Sequence, residues 1–337
     1  MKIDAGIIAR DAREAGPAAK DLEDAGFDGA YTFEGSHDPF LPLVTAAMST
    51  KKIELYTSIA VAFSRNPMIL ANLGYDLNLI SEGRFILGLG SQIRPHITKR
   101  FSMPWSKPAA RMKEMIEAIR AIWNCWQEGS ELHFEGQFYS HTLMTPFFNP
   151  GKNPFGLPKI YVAAVGPMMT KAVAESADGL LVHPFHTPRY MERVTLPIVQ
   201  EGLNSAGREK SDFDFSISVM TAAGLNEESF EKAIEVCRNQ IAFYASTPAY
   251  KGVLDSCDRG GLQERLNLLS KEGKWQEMGT LIDDELLNSV AVVAESPEKV
   301  AEEIQKRYKG KGARISPAFY SGEIELASQV IQELRKG

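Results

Sequence analysis

Short apolar runs with β-type alternation recur along the chain, and most are followed by a stretch with helical spacing. Ile3–Ile8 reads as a strand and Gly16–Ala25 as a helix closed by Gly26. Ala30–Phe33 is a strand, Leu41–Ser49 a helix and Ile53–Ala60 a strand. Asn66-Pro67 then opens a helix, with Asn as cap and Pro at the first helical position, running to Ser81. Phe85–Leu89 is the fourth strand. Ala109–Trp126 has the clearest amphipathic spacing: Met112, Met115, Ile116, Ile119, Ile122, Trp123 and Trp126 share one face and read as core.

The alternation pauses between Gln127 and Lys159. Glu131–Phe134 and Gln137–Ser140 suggest a small hairpin around Glu135-Gly136, and Thr145–Pro158 is loop. Strands resume at Ile160–Ala164, Gly179–His183 and Phe213–Thr221, each followed by a helix: Met168–Ser176, Tyr190–Ser205 and Glu227–Tyr244. Thr247–Leu287 is a helical elaboration. Ser296-Pro297-Glu298 caps a helix to Tyr308, Ala313–Phe319 is the last strand and Glu323–Leu334 the last helix. Eight βα units within 337 residues predict a single TIM (β/α)8 barrel over 1–337, with insertions at about 127–159, after helix four, and about 247–287, before the last strand. A doubly wound open sheet is the alternative. A barrel directs the search to the loops that follow the strands.

Composition changes this picture little. Hydrophobic residues make up 44% and charged residues 24%, an ordinary globular mix. A net charge of −6 argues against a nucleic-acid partner. The three cysteines form no CxxC pair, so neither a structural zinc site nor a disulfide framework is expected. The apolar run Ala5–Ala9 is too short for a signal-peptide core, and no stretch is apolar enough to span a membrane. The expectation is a cytoplasmic protein without metal, acting on a small molecule.

Polar chemistry concentrates on those strand-end loops. Glu34-Gly35-Ser36-His37-Asp38-Pro39-Phe40 follows strand two and suits acid–base work by His37 or recognition of a ligand ring. It also reads as a turn in which Asp38 and Ser36 cap the next helix. Gly88-Leu89-Gly90-Ser91-Gln92-Ile93 starts like a dinucleotide fingerprint but has Ile93 at the third glycine position and Pro95 soon after, so that reading is rejected. The two glycines would let backbone approach a flat ring. From Ser91 to Lys113 stand Arg94, Lys99, Arg100, Lys107, Arg111 and Lys113 with no acid among them, which fits an anionic ligand or a solvated face paired with acids elsewhere. Ala163-Ala164-Val165-Gly166-Pro167-Met168 leads into a helix and fits either phosphate at its N-terminus or an ordinary helix start. His183 and His186 flank Pro184-Phe185; the proline argues against metal ligation. His133 and His141 read as surface.

These segments resemble the luciferase-like monooxygenase superfamily, most closely its branch dependent on the deazaflavin coenzyme F420. The likeness runs through Ser36-His37-Asp38-Pro39-Phe40, Leu55-Tyr56-Thr57-Ser58-Ile59, Ser64-Arg65-Asn66-Pro67, Ile80-Ser81-Glu82-Gly83-Arg84-Phe85, Gly88-Leu89-Gly90-Ser91, Ala163-Ala164-Val165-Gly166-Pro167, Ala177-Asp178-Gly179 and Glu295-Ser296-Pro297-Glu298-Lys299-Val300. It implies a ring lying across the C-terminal mouth, with His37 beside its reactive face and Ser36 where relatives often have an aspartate. Ser58 and Ile59 would back the ring across a cis peptide bond. Ser91 and Gln92 would line its edge, and Val165 and Gly166 hold the tail phosphate; His183 joins the cofactor-binding set. Relatives that oxidise sugar phosphates or alcohols have a catalytic glutamate where this chain has Ile93.

The resemblance further implies hydride transfer at C5 of the deazaflavin to or from an organic substrate, with His37 as acid–base or polarising group. Two alternatives stay open: an FMN-dependent two-component monooxygenase, and a barrel that binds flavin without turnover. Specificity is expected from Gln127–Lys159 and Thr247–Leu287. Homodimers are common in the superfamily, so a homodimer is expected.

Overall fold

The computed structural model describes residues 1–319 and 324–336, so Glu323, where the sequence reading starts the last helix, lies outside them. Eight parallel strands run in chain order: β1 (Lys2–Gly6), β2 (Gly29–Thr32), β3 (Glu54–Thr57), β4 (Phe85–Gly90), β5 (Lys159–Ala163), β6 (Gly179–Val182), β7 (Asp214–Ala222) and β8 (Arg314–Phe319). Each pairs with the next, and β8 returns to β1, closing a TIM-like barrel. The helices on its outer side are α1 (Ala12–Asp24), α2 (Phe40–Ser49), α3 (Pro67–Ile80), α4 (Pro108–Glu128), α5 (Pro167–Ser176), α6 (Leu196–Ser205), α7 (Glu227–Ala245), α8 (Pro297–Tyr308) and α9 (Ile324–Lys336).

Local chemistry accounts for several boundaries. The Asn66 side chain accepts the Ile69 N–H at 2.9 Å, opening α3, and Ser296 caps α8 in the same way. Helix α1 starts at Ala12, before Gly16, because the Asp11 carboxylate accepts the Arg13 N–H at 2.8 Å. On α4 the expected face is buried, and Trp123 donates from Nε1 to the Ala71 carbonyl at 2.9 Å. All six residues of β4 are buried, as expected of a strand covered on both faces.

Three sequence expectations are corrected. Ile53–Ala60 is interrupted: β3 ends at Thr57, and Ala60–Val61 forms a separate short pairing with Leu89 and Gly90. The hairpin joins Phe134–Glu135 to Ser140–His141, which moves its turn past Glu135-Gly136. The cause is Glu114 of α4, whose carboxylate accepts the N–H groups of Gln137, Phe138 and Tyr139 at 2.6–2.9 Å and shapes the turn. His141 is half-buried, and burial lowers its pKa, so it is not a surface histidine. In addition, Val292–Val293 pairs alongside the end of β7, a strand the sequence reading lacked.

Inside the barrel the N-terminal floor is ionic. Arg314 donates from Nε and Nη2 to Asp4 at 2.6 and 2.8 Å and also meets Glu54. Tyr56 donates to Asp4 at 2.9 Å. Lys159 and Tyr161 both donate to Asp214, at 2.7 and 2.5 Å. Above this floor Tyr56, Ile86, Tyr161 and Leu181 pack together with Tyr31, Ile59 and Ala163, which brings the apolar layer up to the mouth. Among the described residues no helix is long and apolar enough to cross a membrane.

The two insertions differ in reach. Gln127–Lys159 lies along the outer side of α3 and α4: Tyr75 donates to the Gly151 carbonyl, Asn78 to that of Gly156, and Arg111 to Tyr139. Through Tyr139 it reaches the first turn of α4, where Arg111 also meets the Pro104 carbonyl and the Phe63 ring. The Thr247–Leu287 region packs on α7 and sends Tyr250 onto His183, 4.8 Å between ring centroids.

Candidate active site

The mouth is built from the residues that follow each strand. After β2, Ser36 and His37 are exposed, and neither side chain bonds to the described residues. The rest of that loop is engaged. Glu34 accepts from Arg65 at 2.6 Å and from the Val61 N–H at 2.7 Å. Asp38 accepts from Arg65 at 2.8 Å and caps α2 through the Phe40 N–H at 2.8 Å. Asp38 thus takes the capping role offered by the sequence, while Ser36 does not.

After β3 comes the Ser58–Ile59 peptide bond, which is cis, as the resemblance implied. Ser58 and Ile59 are half-buried at the pocket side, and Ile59 packs into the barrel's upper layer. Neighbouring β4 explains its glycines here. A Cβ on Gly88 would fall on the Thr57 carbonyl oxygen, and one on Gly90 would lie 2.7 Å from Ile59 Cδ1. Steric fit to Thr57 therefore requires glycine at 88, and Gly90 is packed closely against Ile59. Beyond Gly90, Ser91 donates to the Gln92 carbonyl at 3.2 Å and Gln92 Oε1 accepts the Ile93 N–H at 2.9 Å. The Gln92 amide NH2 donates to no described residue, so both its donors are open. Ile93 is 44% exposed.

The basic run divides. Arg111 is buried, donating to Tyr139 and to the Pro104 carbonyl, with its guanidinium 4.6 Å from the Phe63 ring centroid. Lys113 pairs with Glu175 at 2.7 Å, and Arg100 donates to the Gly35 carbonyl at 2.7 Å. Arg94, Lys99 and Lys107 remain exposed and without an ion pair among the described residues.

After β5, Gly166 takes φ +82° at the cap of α5, with open space where a Cβ would stand. Val165 and Gly166 share a narrow cleft of about 30 Å³ with Thr170, His183, Tyr190 and Tyr250. A glycine cradle at a helix N-terminus fits an anionic tail, and half-buried Ile59 with Ser58 offers an apolar backing with a hydroxyl for a flat ring. Larger cavities of about 290 and 340 Å³ lie elsewhere, the first beside Ser256 and Arg307, the second at the barrel floor around Lys2 and Arg314. Arg307 and the floor charges are already bonded within the chain.

The two histidines after β6 are neutral structural groups toward each other. His183 Nδ1 accepts the Phe185 N–H at 3.1 Å, and its ring meets Tyr244 at 4.6 Å. His186 Nδ1 donates to the His183 carbonyl at 2.8 Å, and its Nε2 accepts from Tyr308 at 3.0 Å. Burial holds His183 at about 3, with neighbouring His186 opposing a proton there as well, and burial holds His186 at about 4. In the unfolded chain both return to about 6.5. Protons therefore bind the unfolded chain first, so this stabilisation is complete above pH about 6.5 and is lost as pH falls toward 4. By pH 5 each buried imidazole is expected to remove roughly 2 kcal/mol. Urea midpoints between pH 7 and pH 5 check this, and His186→Gln should remove its share of the slope; an unchanged slope would refute it.

Sequence reasoning did not find the Glu34–Arg65–Asp38 ion pairs or Tyr250. Arg65 stood within a motif, Ser64-Arg65-Asn66-Pro67, but nothing local tied it to residues about thirty positions earlier.

The family model described as luciferase-like monooxygenase matches residues 3–314. An uncharacterized protein of Mycobacterium tuberculosis is 48% identical over 336 residues, covering 100% of this chain and 98% of that protein. The 5,10-methylenetetrahydromethanopterin reductase of Archaeoglobus fulgidus is 28% identical over 327 residues, 93% of each chain. Among solved structures, the coenzyme F420-dependent tetrahydromethanopterin reductase from Methanopyrus kandleri superposes with TM-score 0.80 at 22% identity, covering 99% of this chain and 98% of that one.

Proposed function

Because the chain belongs to the luciferase-like monooxygenase family, we propose that it is an oxidoreductase that moves a hydride between coenzyme F420 and a small organic substrate. The observation that carries this reading is the loop after β2, which holds Ser36 and His37 without partners among the described residues, over the same mouth as Ser58–Ile59 and the Gly166 cradle. The relatives named as tetrahydromethanopterin reductases, one of them F420-dependent, support the choice of cofactor.

When bound, the deazaflavin supplies the hydride chemistry. Ser58 and Ile59 back the ring, Ser91 and Gln92 line its edge, and Ser36 adds a hydroxyl. The free N–H groups at Val165 and Gly166 take the tail phosphate. His183 lines the adjoining cleft as a neutral ring rather than as a charged ligand. His37 exchanges the proton that the substrate gains or loses, since Ile93 offers none and Glu34 and Asp38 are paired with Arg65.

Arg94, Lys99 and Lys107 are the cations left for a polyanionic tail, which F420 has and FMN lacks. Titration of the apo-protein, followed by fluorescence, should give tighter binding of F420 than of FMN. Because those charges are exposed, F420 affinity should fall as salt rises above about 0.1 M, where the screening length is about 10 Å. FMN binding as tight or tighter, and insensitive to salt, would overturn the F420 reading in favour of a flavin monooxygenase.

A further inference from the structure

We infer that Arg65 is a positioning residue: with Arg100 it clamps the loop 34–38 so that Ser36 and His37 are presented to a ligand in one fixed arrangement. One guanidinium reaches both ends of the loop, Nη1 to Glu34 at 2.6 Å and Nη2 to Asp38 at 2.8 Å. Nη1 also donates to the Val61 carbonyl and to Ser64 Oγ, both at 3.1 Å. The same Glu34 oxygen accepts the Val61 N–H, and the Glu34 N–H donates to the Ile59 carbonyl at 3.0 Å. The loop after β2 is thereby fastened to the segment that carries Ser58 and Ile59. Arg100, from the loop after β4, holds the middle of the clamp through the Gly35 carbonyl.

Burial separates this from an ordinary surface ion pair. The Arg65 side chain is 14% exposed and that of Glu34 is 6% exposed, so their attraction is little screened by water. The Arg65 guanidinium also lies 5.4 Å from the ring centroid of Phe40, the first residue of α2. A planar fork that serves two carboxylates and a ring is a task for arginine; a lysine, a single point charge on a flexible stem, can keep one partner at a time. Between 34 and 38, the side chains that bond to no described residue are Ser36 and His37. Fixing every other polar contact of a loop while leaving two side chains open is how a site is held in register for a ligand.

Hydrogen exchange on the full chain without cofactor tests the clamp. In Arg65→Met, peptides covering 34–41 and 58–65 are expected to exchange about tenfold faster or more, with the remaining barrel unchanged. Wild-type exchange in those peptides would overturn the clamp. The second readout rests on the proposed F420 reading: the absorbance and fluorescence bands of bound F420 should shift in Arg65→Met and recover in part in Arg65→Lys. Loosened exchange with wild-type bands would make Arg65 merely structural and overturn its positioning role. Should Arg65→Met not fold, Asp38→Asn cuts one arm of the clamp at a side chain 39% exposed, and the same two readouts apply. If the wild type binds no F420, the functional reading fails on its own while the exchange result still decides the clamp.

Discussion

His37→Ala is expected to lower turnover by about 10²–10⁴-fold, the range typical of a lost general acid–base group, while F420 affinity stays near that of the wild type. The split follows from placement. His37 is exposed at the mouth and bonds to no described residue, so its removal leaves no buried partner unsatisfied. Apart from Ser36, whose hydroxyl the substitution leaves in place, the groups assigned to holding the cofactor, from Ser58 to Gly166, follow other strands and keep their geometry. No nearby carboxylate can substitute, because Glu34 and Asp38 are both tied to Arg65 and Ile93 cannot carry a proton. The measurement is the rate of the deazaflavin absorbance change with an organic substrate that the wild type turns over. Wild-type rates in the variant would remove His37 from the chemistry.

Arg314→Met should cost roughly 3–5 kcal/mol of stability, as for breaking a buried ion pair by removing one partner. Asp4 is fully buried and Arg314 is 2% exposed. Burial already pushes the Asp4 carboxyl above its ordinary range, with Arg314 acting against that rise. Without Arg314, Asp4 keeps only the Tyr56 hydroxyl and must remain an uncompensated charge or take up a proton. Adding Asp4→Leu removes the stranded carboxyl and should return part of the loss. Because the pair sits at the barrel floor, the F420 affinity of protein that remains folded should not move. A urea midpoint for Arg314→Met close to wild type would show that water reaches Asp4 and that the floor is not dry.

The order of strands and helices could be read from the chain because each element advertises itself locally. Apolar alternation marks the strands, Asn66-Pro67 and Ser296-Pro297 mark helix starts, and the amphipathic stripe of α4 marks its buried face. Those signals depend on neighbours a few residues apart, so they survive without knowledge of the fold. Closure of the barrel followed from counting eight units, and it also located Ser36, His37, Ser58, Ser91, Gln92 and Gly166 at strand ends. What each of these residues is free to do was a matter for the tertiary structure. Arg100, Arg111 and Lys113 looked equivalent to Arg94 and Lys99 in the sequence, yet the fold bonds the first three to a carbonyl, a phenol and a carboxylate from distant segments. Gly88 gave no local sign that a Cβ there would fall on the Thr57 carbonyl oxygen of β3. Arg65 pairs with residues 27 and 31 positions away, and Arg314 with one 310 positions away. Ionic and steric relations of this kind have no periodicity along the chain. They exist only once the barrel brings separate strands within bonding distance, and for that reason the candidate residues were legible in the sequence while their division into structural and ligand-facing groups was not.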